Sequence, residues 1–219
     1  MPQPLSNIDI CNRALARIGA APIMSLDDDT DLSRQVEAVF DDVVESCFAA
    51  WRWRWAAMTH ALQQIDGTPL NGWAYAYAVP AAALGEPLRV MADPRRTDAP
   101  LRAFQCEGRQ VFADHQPLWG VFITRHAPDL WPPLFRAGVV TWLAAHLAVP
   151  VTHDSGLAET LRQEAVGSPA EGMRGGLIGR AIALDAAAAT TAPLGADDPL
   201  TGAQFAAGGP LSGPWHGSW

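Results

Sequence analysis

The segment WRWRW, residues 51–55, is the group of side chains with the most conspicuous binding chemistry, because three tryptophans alternate with two arginines. Aromatic rings beside guanidinium groups can stack on nucleic acid bases, lie at a membrane interface or hold one protein against another. The same residues could also mark the point where a helix ends and a hydrophobic core begins. The rest of the sequence must decide among these uses.

Charge argues against nucleic acid as the main ligand of this segment. The 219 residues carry a formal net charge of −8, and the sequence pI is about 5.1. Nucleic-acid-binding proteins are usually basic, because much of their affinity comes from neutralising phosphates. Insertion into a membrane interface would need a longer basic amphipathic element.

No pattern of catalytic or metal-binding residues stands out. The sequence contains neither a G-x-S-x-G nucleophile turn nor a G-x-x-x-x-G-K-[ST] phosphate loop. The six histidines show no HxxH or HExxH spacing, and we expect a lone histidine on an apolar helical face, His146, to be a core residue. We therefore predict a protein that is not an enzyme and has no catalytic, cofactor-binding or metal-binding residues.

The cysteines and the apolar runs indicate a cytoplasmic site of synthesis. Cys11, Cys47 and Cys106 form no CxxC pair, which is typical of a reducing compartment. Cys11 and Cys47 fall on apolar helical faces and are predicted to be buried. The first residues lack the features of a signal peptide. The most apolar run, residues 138–149, is predicted to be too short to span a bilayer, so no membrane partner is expected.

Residues 6–18 are predicted to form the first helix. Ser6 begins an S-x-x-D pattern with Asp9, in which the hydroxyl accepts a hydrogen bond from an early backbone N–H. The Asp9 carboxylate favours the positive end of the helix. Apolar residues then recur at helical spacing, and Gly19 supplies a stop.

The clearest helix follows the acidic run DDDTD, residues 27–31, which suits a helix N-terminus. A calcium-binding loop would need Gly and Glu where Leu32 and Ala38 stand. The helix carries one apolar stripe with i, i+4, i+7 spacing. Its members are Leu32, Val36, Val39, Phe40, Val43, Val44, Cys47, Phe48 and Trp51.

Residues 56–127 have many Gly and Pro breaks between short β-like runs and predict a small β subdomain. Trp73, Tyr75 and Tyr77 alternate with alanines and are expected on one face of a strand. Helical spacing returns in residues 128–192. Pro132 and Pro133 are tolerable only in a first turn, so we predict a helix start near residue 130 and an end at Pro150. The glycines of GMRGGLIG are expected to interrupt the last helical region, residues 155–190.

The predicted fold is therefore α+β. A helical bundle is formed by residues 1–55 and 128–192, and a small β subdomain, residues 56–127, is inserted into it. Residues 193–219 are rich in Gly, Pro and Ser and predict an extended C-terminal arm. The arm nevertheless carries Phe205, Trp215 and Trp219, and we predict that another protein surface receives these rings.

Several motifs in residues 8–90 resemble those of bacteriophage head–tail adaptor proteins of the podovirus tail tubular protein A type. The family has a helix with N-x-A-L-x-x-I-G, a loop ending in S-L, a long helix, W-x-[FW]-A and a following A-L. The matching residues here are Asn12, Ala14, Leu15, Ile18, Gly19, Ser25, Leu26, Trp53, Trp55, Ala56, Ala61 and Leu62. The family's Y-x-Y-x-x-P-x-D segment is matched by Tyr75, Tyr77 and Pro80, whereas Ala82 replaces the acid.

This resemblance implies a structural virion protein without catalytic activity. Such adaptors form a ring, usually a dodecamer, in the neck of a phage or of a gene transfer agent. The portal protein lies above the ring, a tail or stopper protein lies below it, and DNA passes through the lumen as cargo. An acidic chain suits that channel, which must not hold phosphates tightly.

The resemblance also suggests a reading of the WRWRW segment as the exit from the long helix into the β subdomain. We interpret its tryptophans as core and hinge of one subunit. Arg52 and Arg54 are expected to meet acidic groups of a neighbouring subunit or of the portal, and the arm rings Phe205, Trp215 and Trp219 to dock there as well. Two alternatives remain open: a non-viral protein-binding module, and a small enzyme with a site between the helices and the β subdomain.

Overall fold

A computed structural model of the chain describes residues 4–96 and 100–188. Residues Met1–Asp185 form one compact unit, and the rest of the chain is a second unit. The described residues contain both helices and antiparallel sheets, which confirms the predicted α+β class. The helices are Asn7–Arg17 (α1), Asp31–Ala49 (α2), Pro133–Leu147 (α3), Ser155–Val166 (α4) and Gly176–Ala187 (α5). The predicted arm, residues 193–219, lies outside the described residues.

Helix α1 begins with the predicted cap. The Asp9 N–H donates to the Ser6 hydroxyl at 3.3 Å, and the Ser6 N–H donates to the Asp9 carboxylate at 2.8 Å. This reciprocal arrangement satisfies backbone donors that a helix start leaves unpaired. The predicted first helix, residues 6–18, therefore agrees with α1 to within one residue at each end.

Helix α2 begins where the acidic run predicts. The Thr30 side chain caps it by accepting from the Ser33 N–H at 3.1 Å, and Asp31 lies in the first turn. Most of the predicted stripe is buried, and the fully or almost fully buried members are Val36, Phe40, Val43, Val44, Cys47 and Phe48. The long helix thus contributes one face to the core, as predicted.

Helix α3 starts and ends differently from the prediction. Residues Pro128–Leu130 form a separate 3-10 turn, and α3 begins at Pro133 with Pro132 as its cap. Pro150 does not end the helical path, because the backbone continues as a π-helical turn over Ala148–Thr152. The wider π turn relieves the clash between a proline ring and the carbonyl four residues before it.

The helical path through α3 is also longer than the sequence predicted. Residues Pro133–Thr152 are 20 in number with a mean hydropathy of 1.5, which is long and apolar enough to cross a membrane. The prediction that this region is too short was therefore wrong about its length. In this structure 56% of its most apolar 18-residue stretch is buried inside the protein, where α3 packs against α1, α2 and α4. A helix that is apolar on most faces suits such a central position.

The last helical region is interrupted, as its glycines predict. Helix α4 ends at Val166, and Gly167 adopts a φ of +78°. Helix α5 begins at Gly176, where an added Cβ would lie 2.4 Å from the carbonyl oxygen of Glu164. Only glycine allows the two helices to approach so closely there.

Residues 57–124, called the β insert here, form two small antiparallel sheets. The strands are Ala57–Ala61 (β1), Gln63–Ile65 (β2), Tyr75–Ala78 (β3), Ala83–Met91 (β4), Gln105–Glu107 (β5), Gln110–Ala113 (β6) and Trp119–Thr124 (β7). One sheet has the order β1-β7-β4 and the other β2-β3-β6-β5. Because β1 pairs with β7, with Ala57 opposite Ile123, the insert leaves and rejoins the helices at one place.

Two hydrophobic clusters stabilise these regions. The larger, called the helical core here, is built mainly from α1–α5 and also contains Ile123 of β7. The smaller, called the insert core, consists of Leu62, Tyr77, Ala83, Val90, Val111, Ala113, Leu118 and Phe122. The predicted face of three aromatics is wrong for Trp73, which precedes β3 and donates instead to Gln105 Oε1 at 2.9 Å.

Candidate interaction site around residues 51–55

The WRWRW segment is a turn that closes the end of α2. The Trp53 indole N–H donates to the Cys47 carbonyl oxygen at 2.9 Å, and this carbonyl belongs to the last turn of the helix. The Ala56 N–H donates to the Trp53 carbonyl oxygen at 3.2 Å. Trp53 is buried, whereas Arg52 and Arg54 are exposed. The interpretation of Trp53 as a core residue is therefore confirmed.

Five rings from α2, the WRWRW segment, the residues just before α3 and α3 itself meet here. They are called the aromatic cluster: Phe48, Trp53, Trp55, Trp131 and Phe135. Phe135 is central, with its ring centroid 5.1 Å from that of Phe48 and 5.0 Å from those of Trp53 and Trp55. These contacts have the edge-to-face geometry that adds about 0.5–1.5 kcal/mol per pair beyond burial. These ring contacts thus hold the start of the β insert against the helices.

The indole N–H groups of this region are not equally satisfied. Trp51 Nε1 donates to Asp185 Oδ2 at 3.2 Å, and Trp131 Nε1 donates to the His126 carbonyl oxygen at 2.9 Å. Trp55 Nε1 is buried and has no hydrogen-bond partner among the described residues. An unsatisfied buried donor costs on the order of 1–3 kcal/mol, so Trp55 is a weak point of the aromatic cluster.

Asp185 of α5 ties the WRWRW segment to the C-terminal helix. Its carboxylate accepts from the Trp51 indole and also from the Arg54 backbone N–H, in both cases at 3.2 Å. Sequence reasoning missed this residue. Asp185 lies more than 130 positions from its donors and stands in an alanine-rich stretch, so no local pattern could reveal the contact.

The guanidinium groups of Arg52 and Arg54 form no ion pair within residues 4–96 and 100–188. Nearby arginines are engaged. Arg125 binds Asp41 at 2.6 Å, and the Arg174 guanidinium carbon lies 5.9 Å from the ring centroid of Trp51. The structure therefore leaves two positive charges of the WRWRW segment facing solvent, and their predicted role as partner contacts stays a prediction.

A cavity of about 550 Å³ lies on the Trp51 side of the segment, between the end of α2 and strand β4. Its apolar wall includes Phe48, Leu84 and Leu88, and its charged residues are Glu45, Arg52, Glu86 and Arg174. This cavity occupies the junction where the enzyme alternative expects a site. Its lining contains the carboxylates of Glu45 and Glu86, which are of a type that can act as a general base, and it contains no cysteine, serine or histidine.

A second cavity of about 380 Å³ lies on the Trp53 and Trp55 side and is called the apolar groove here. It is lined by Trp53, Trp55, Pro132, Pro133, Leu134, Phe135, Ala181, Leu184 and Asp185. Leu184 on its rim is 62% exposed. The segment thus separates a charged cavity from an apolar one.

The other predicted residues are distributed as follows. Phe205, Trp215 and Trp219 lie outside the described residues. Cys11 and Cys47 are buried as predicted, and burial raises the pKa of each thiol to about 12. Among the described side chains no group of three or more His, Cys, Asp and Glu could hold a metal ion.

The prediction for His146 is wrong. Its side chain is exposed on α3, with its imidazole centroid 4.5 Å from that of the Trp142 ring. Although the residue is exposed, desolvation of the imidazole lowers the pKa of His146, and the negative charge of Asp42 acts in the opposite direction. Helical spacing alone could not place this residue, because α3 is apolar around most of its circumference.

The residues that carry the adaptor resemblance serve the fold. Asn12 Nδ2 donates to the Ile23 carbonyl oxygen at 3.0 Å, and the Ile23 N–H donates back to Asn12 Oδ1 at 2.8 Å. This pair fixes the loop between α1 and α2. Trp53 and Tyr77 are buried, and the Tyr77 hydroxyl donates to the His115 carbonyl oxygen at 2.6 Å.

No protein-family model matches this chain, and a search of curated proteins finds no match to it.

Proposed function

We propose that this chain is a structural virion protein, a head–tail adaptor that forms a ring between portal and tail in a phage or a gene transfer agent. The supporting observation is the structural role of the residues that carry the adaptor resemblance. Asn12 pins the loop before α2, Trp53 closes the end of α2, and Tyr77 fills the insert core. These positions fix the loop between α1 and α2, the exit from α2 and the insert core, which are features that a shared subunit shape would require.

A ring subunit needs two different surfaces that fit each other around the circle. Two exposed features beside the WRWRW segment are suited to such contacts: the guanidinium groups of Arg52 and Arg54, and the apolar groove with Leu184 on its rim. The partners in this proposal are neighbouring copies, the portal protein and a downstream tail or stopper protein. DNA is cargo, and the net charge of −8 disfavours tight phosphate contacts.

The first test asks whether particles need this chain to join heads to tails. The gene is inactivated in the phage or gene transfer agent that carries it, and the wild-type chain is supplied in trans. Electron microscopy should show filled heads without tails in the absence of the chain and complete necks after rescue. Normal tailed particles from the inactivated genome would overturn the proposal.

A second test uses the arginines. The double variant R52E/R54E is expected to fold, because both side chains are exposed, and to rescue tailed particles at least tenfold less well than wild type. The matched control is R102E, which reverses an exposed charge on the β insert. Equal rescue by R52E/R54E and R102E would show that Arg52 and Arg54 do not form the proposed contact.

The cavity between α2 and β4 is the observation that favours the alternative of a binding or enzymatic site. Thermal shift measurements against a small-molecule library test it, with E86Q as the variant that changes the cavity charge. A ligand that stabilises the wild-type chain by several degrees and not E86Q would support the alternative. A flat response for every compound would leave the adaptor proposal as the better account.

A further inference from the structure

We infer that the apolar groove of one subunit receives the segment PLSGPW, residues 210–215, from the arm of a neighbouring copy. This inference rests on the proposed ring. It names the occupant of a surface that the described residues leave uncovered, and it assigns the arm of each copy to the next copy rather than to the portal.

The chemistry of the groove fits a proline-rich occupant. Its accessible wall is formed by Trp55 and Leu134 with the adjacent prolines 132 and 133, over the buried rings of Trp53 and Phe135. Grooves lined by aromatic rings recognise proline-rich segments, because the extended proline conformation is already formed and loses little entropy on binding. The exposed side chain of Leu184 adds an apolar rim against which a leucine or a tryptophan can pack.

The last described helix ends close to the groove. Ala181 and Leu184 of α5 line the groove, and α5 ends at Ala187, within one helical turn of Leu184. From residue 188 to residue 210 an extended chain spans at most roughly 70 Å at about 3.3 Å per residue. That length allows residues 210–215 of one copy to reach the groove of the next copy around a ring, so that every groove is filled by the same operation.

The charge and composition of the arm favour residues 210–215 as the occupant of the apolar groove. Residues 189–219 contain Asp197 and Asp198 and no lysine or arginine. The backbone N–H of Arg54 binds Asp185 on the groove wall, so this exposed residue is attached beside the groove. The arm's acids can approach the positive charge of Arg54, while prolines 210 and 214, Leu211 and Trp215 supply the apolar contacts.

Cysteine cross-linking in the full-length chain tests the inference. One chain carries L184C on the groove rim, the other carries S212C in the arm, and both carry C106S to remove the one part-buried thiol. Cys11 and Cys47 are buried and their pKa values of about 12 keep them unreactive. After mild oxidation of assembled particles or rings, we expect an interchain disulfide in the mixture and none with either chain alone.

The matched control replaces L184C by M24C. Met24 is 88% exposed and lies before α2, at the opposite end of a 19-residue helix from the WRWRW segment. At about 1.5 Å per residue, that end is roughly 28 Å away. We expect at least tenfold less cross-linking for the M24C pair. Adding W215A to the S212C chain should lower the cross-linked fraction severalfold, whereas L70S, which changes another exposed apolar tip, should not.

The outcomes separate this inference from the proposed function. Rings that form without the L184C–S212C bond would overturn the inference and leave the adaptor function standing. A chain that carries both L184C and S212C provides a further test, and a bond formed within that one chain, with none between chains, would also overturn the inference. Loss of the bond in L70S as great as in W215A would show that the bond does not depend on the apolar contacts of the arm, and this would overturn it too. Efficient cross-linking in a chain that particles do not need would overturn the adaptor function alone.

Discussion

The helical core and the insert core differ in how they are built. The helical core draws on all five helices of the described residues, places α3 at its centre and includes the aromatic cluster around Phe135. The insert core has eight buried residues, of which Tyr77 and Phe122 are the aromatic ones, under strands of three to nine residues. Small sheets with one solvated face have little independent stability.

The two sheets of the insert are therefore not equivalent. The sheet of β1, β7 and β4 sends Ile123, Leu84 and Leu88 into or against the helical core. The buried side chains of the sheet of β2, β3, β6 and β5 lie mainly in the insert core. The comparison indicates that the first sheet is fastened to the helices and the second depends on a small core, so the second sheet should open first.

The largest effect is expected from F135A. Phe135 is fully buried and its ring touches four other members of the aromatic cluster, so its loss leaves a cavity under the WRWRW segment. We expect a loss of about 3–5 kcal/mol in the free energy of unfolding. Urea unfolding followed by helical circular dichroism measures it, with M24A as the exposed control. A loss under about 1 kcal/mol would contradict the conclusion that the aromatic cluster is a main part of the helical core.

A smaller and local effect is expected from L118A in the insert core. Leu118 is 1% exposed, and a Leu-to-Ala change in a core costs about 2–5 kcal/mol. We expect a value near the lower end, because short strands can relax into the space. Hydrogen exchange should show faster opening of amides in β3 and β6 with α3 amides unchanged. Equal acceleration in α3 would show that the two cores unfold as one unit.

The variants W53F and W55F test the hydrogen bonding assigned to two indole N–H groups of the aromatic cluster. Both changes keep an aromatic ring, but W53F removes the hydrogen bond to the Cys47 carbonyl, whereas W55F removes a donor that has no partner among the described residues. We expect W53F to be the more destabilising by about 1 kcal/mol. Chemical unfolding of both variants measures the difference, and an equal or reversed order would contradict the assigned hydrogen bonds.

The smallest effect concerns pH and an exposed contact on α4. Hydrogen bonds from Arg162, then Gln163, lower the pKa of Glu159 from its usual 4.5 to about 2. A lowered pKa means that the stabilisation is present above pH 4.5 and is lost as pH falls through about 2. E159Q should remove this part of the acid dependence and leave neutral stability nearly unchanged, because the pair is exposed. A Glu159 pKa near 4.5 in an NMR titration would refute it.

Local patterns predicted the parts of the fold that depend on neighbours in sequence. The Ser6 cap, the acidic start of α2, the stripe on α2 and the glycine interruption before α5 all follow from short-range rules. These features need no knowledge of what packs on them.

Long-range packing decided the rest. The Asp185 contacts and the apolar groove join positions far apart in the chain, so no spacing rule could find them. Trp73 left the predicted face because β3 begins only at Tyr75. Pro150 did not end the helix because a π turn accommodates it. In each of these cases tertiary structure overrode a sound local preference.

The pairing of β1 with β7 has a consequence for how this chain can be altered. The Thr124 N–H donates to the Ala56 carbonyl oxygen at 2.8 Å, so the two strands that bound the insert are hydrogen-bonded at its base. Paired residues of antiparallel strands lie only about 4.5–5.5 Å apart, a gap that one or two residues can bridge. Residues 57–124 could therefore be exchanged for a differently shaped module without stretching the helices, if the new module supplies the contacts that Ile123, Leu84 and Leu88 make with the helical core. The base of the insert is therefore a place where the shape of the subunit can change while its helices are retained.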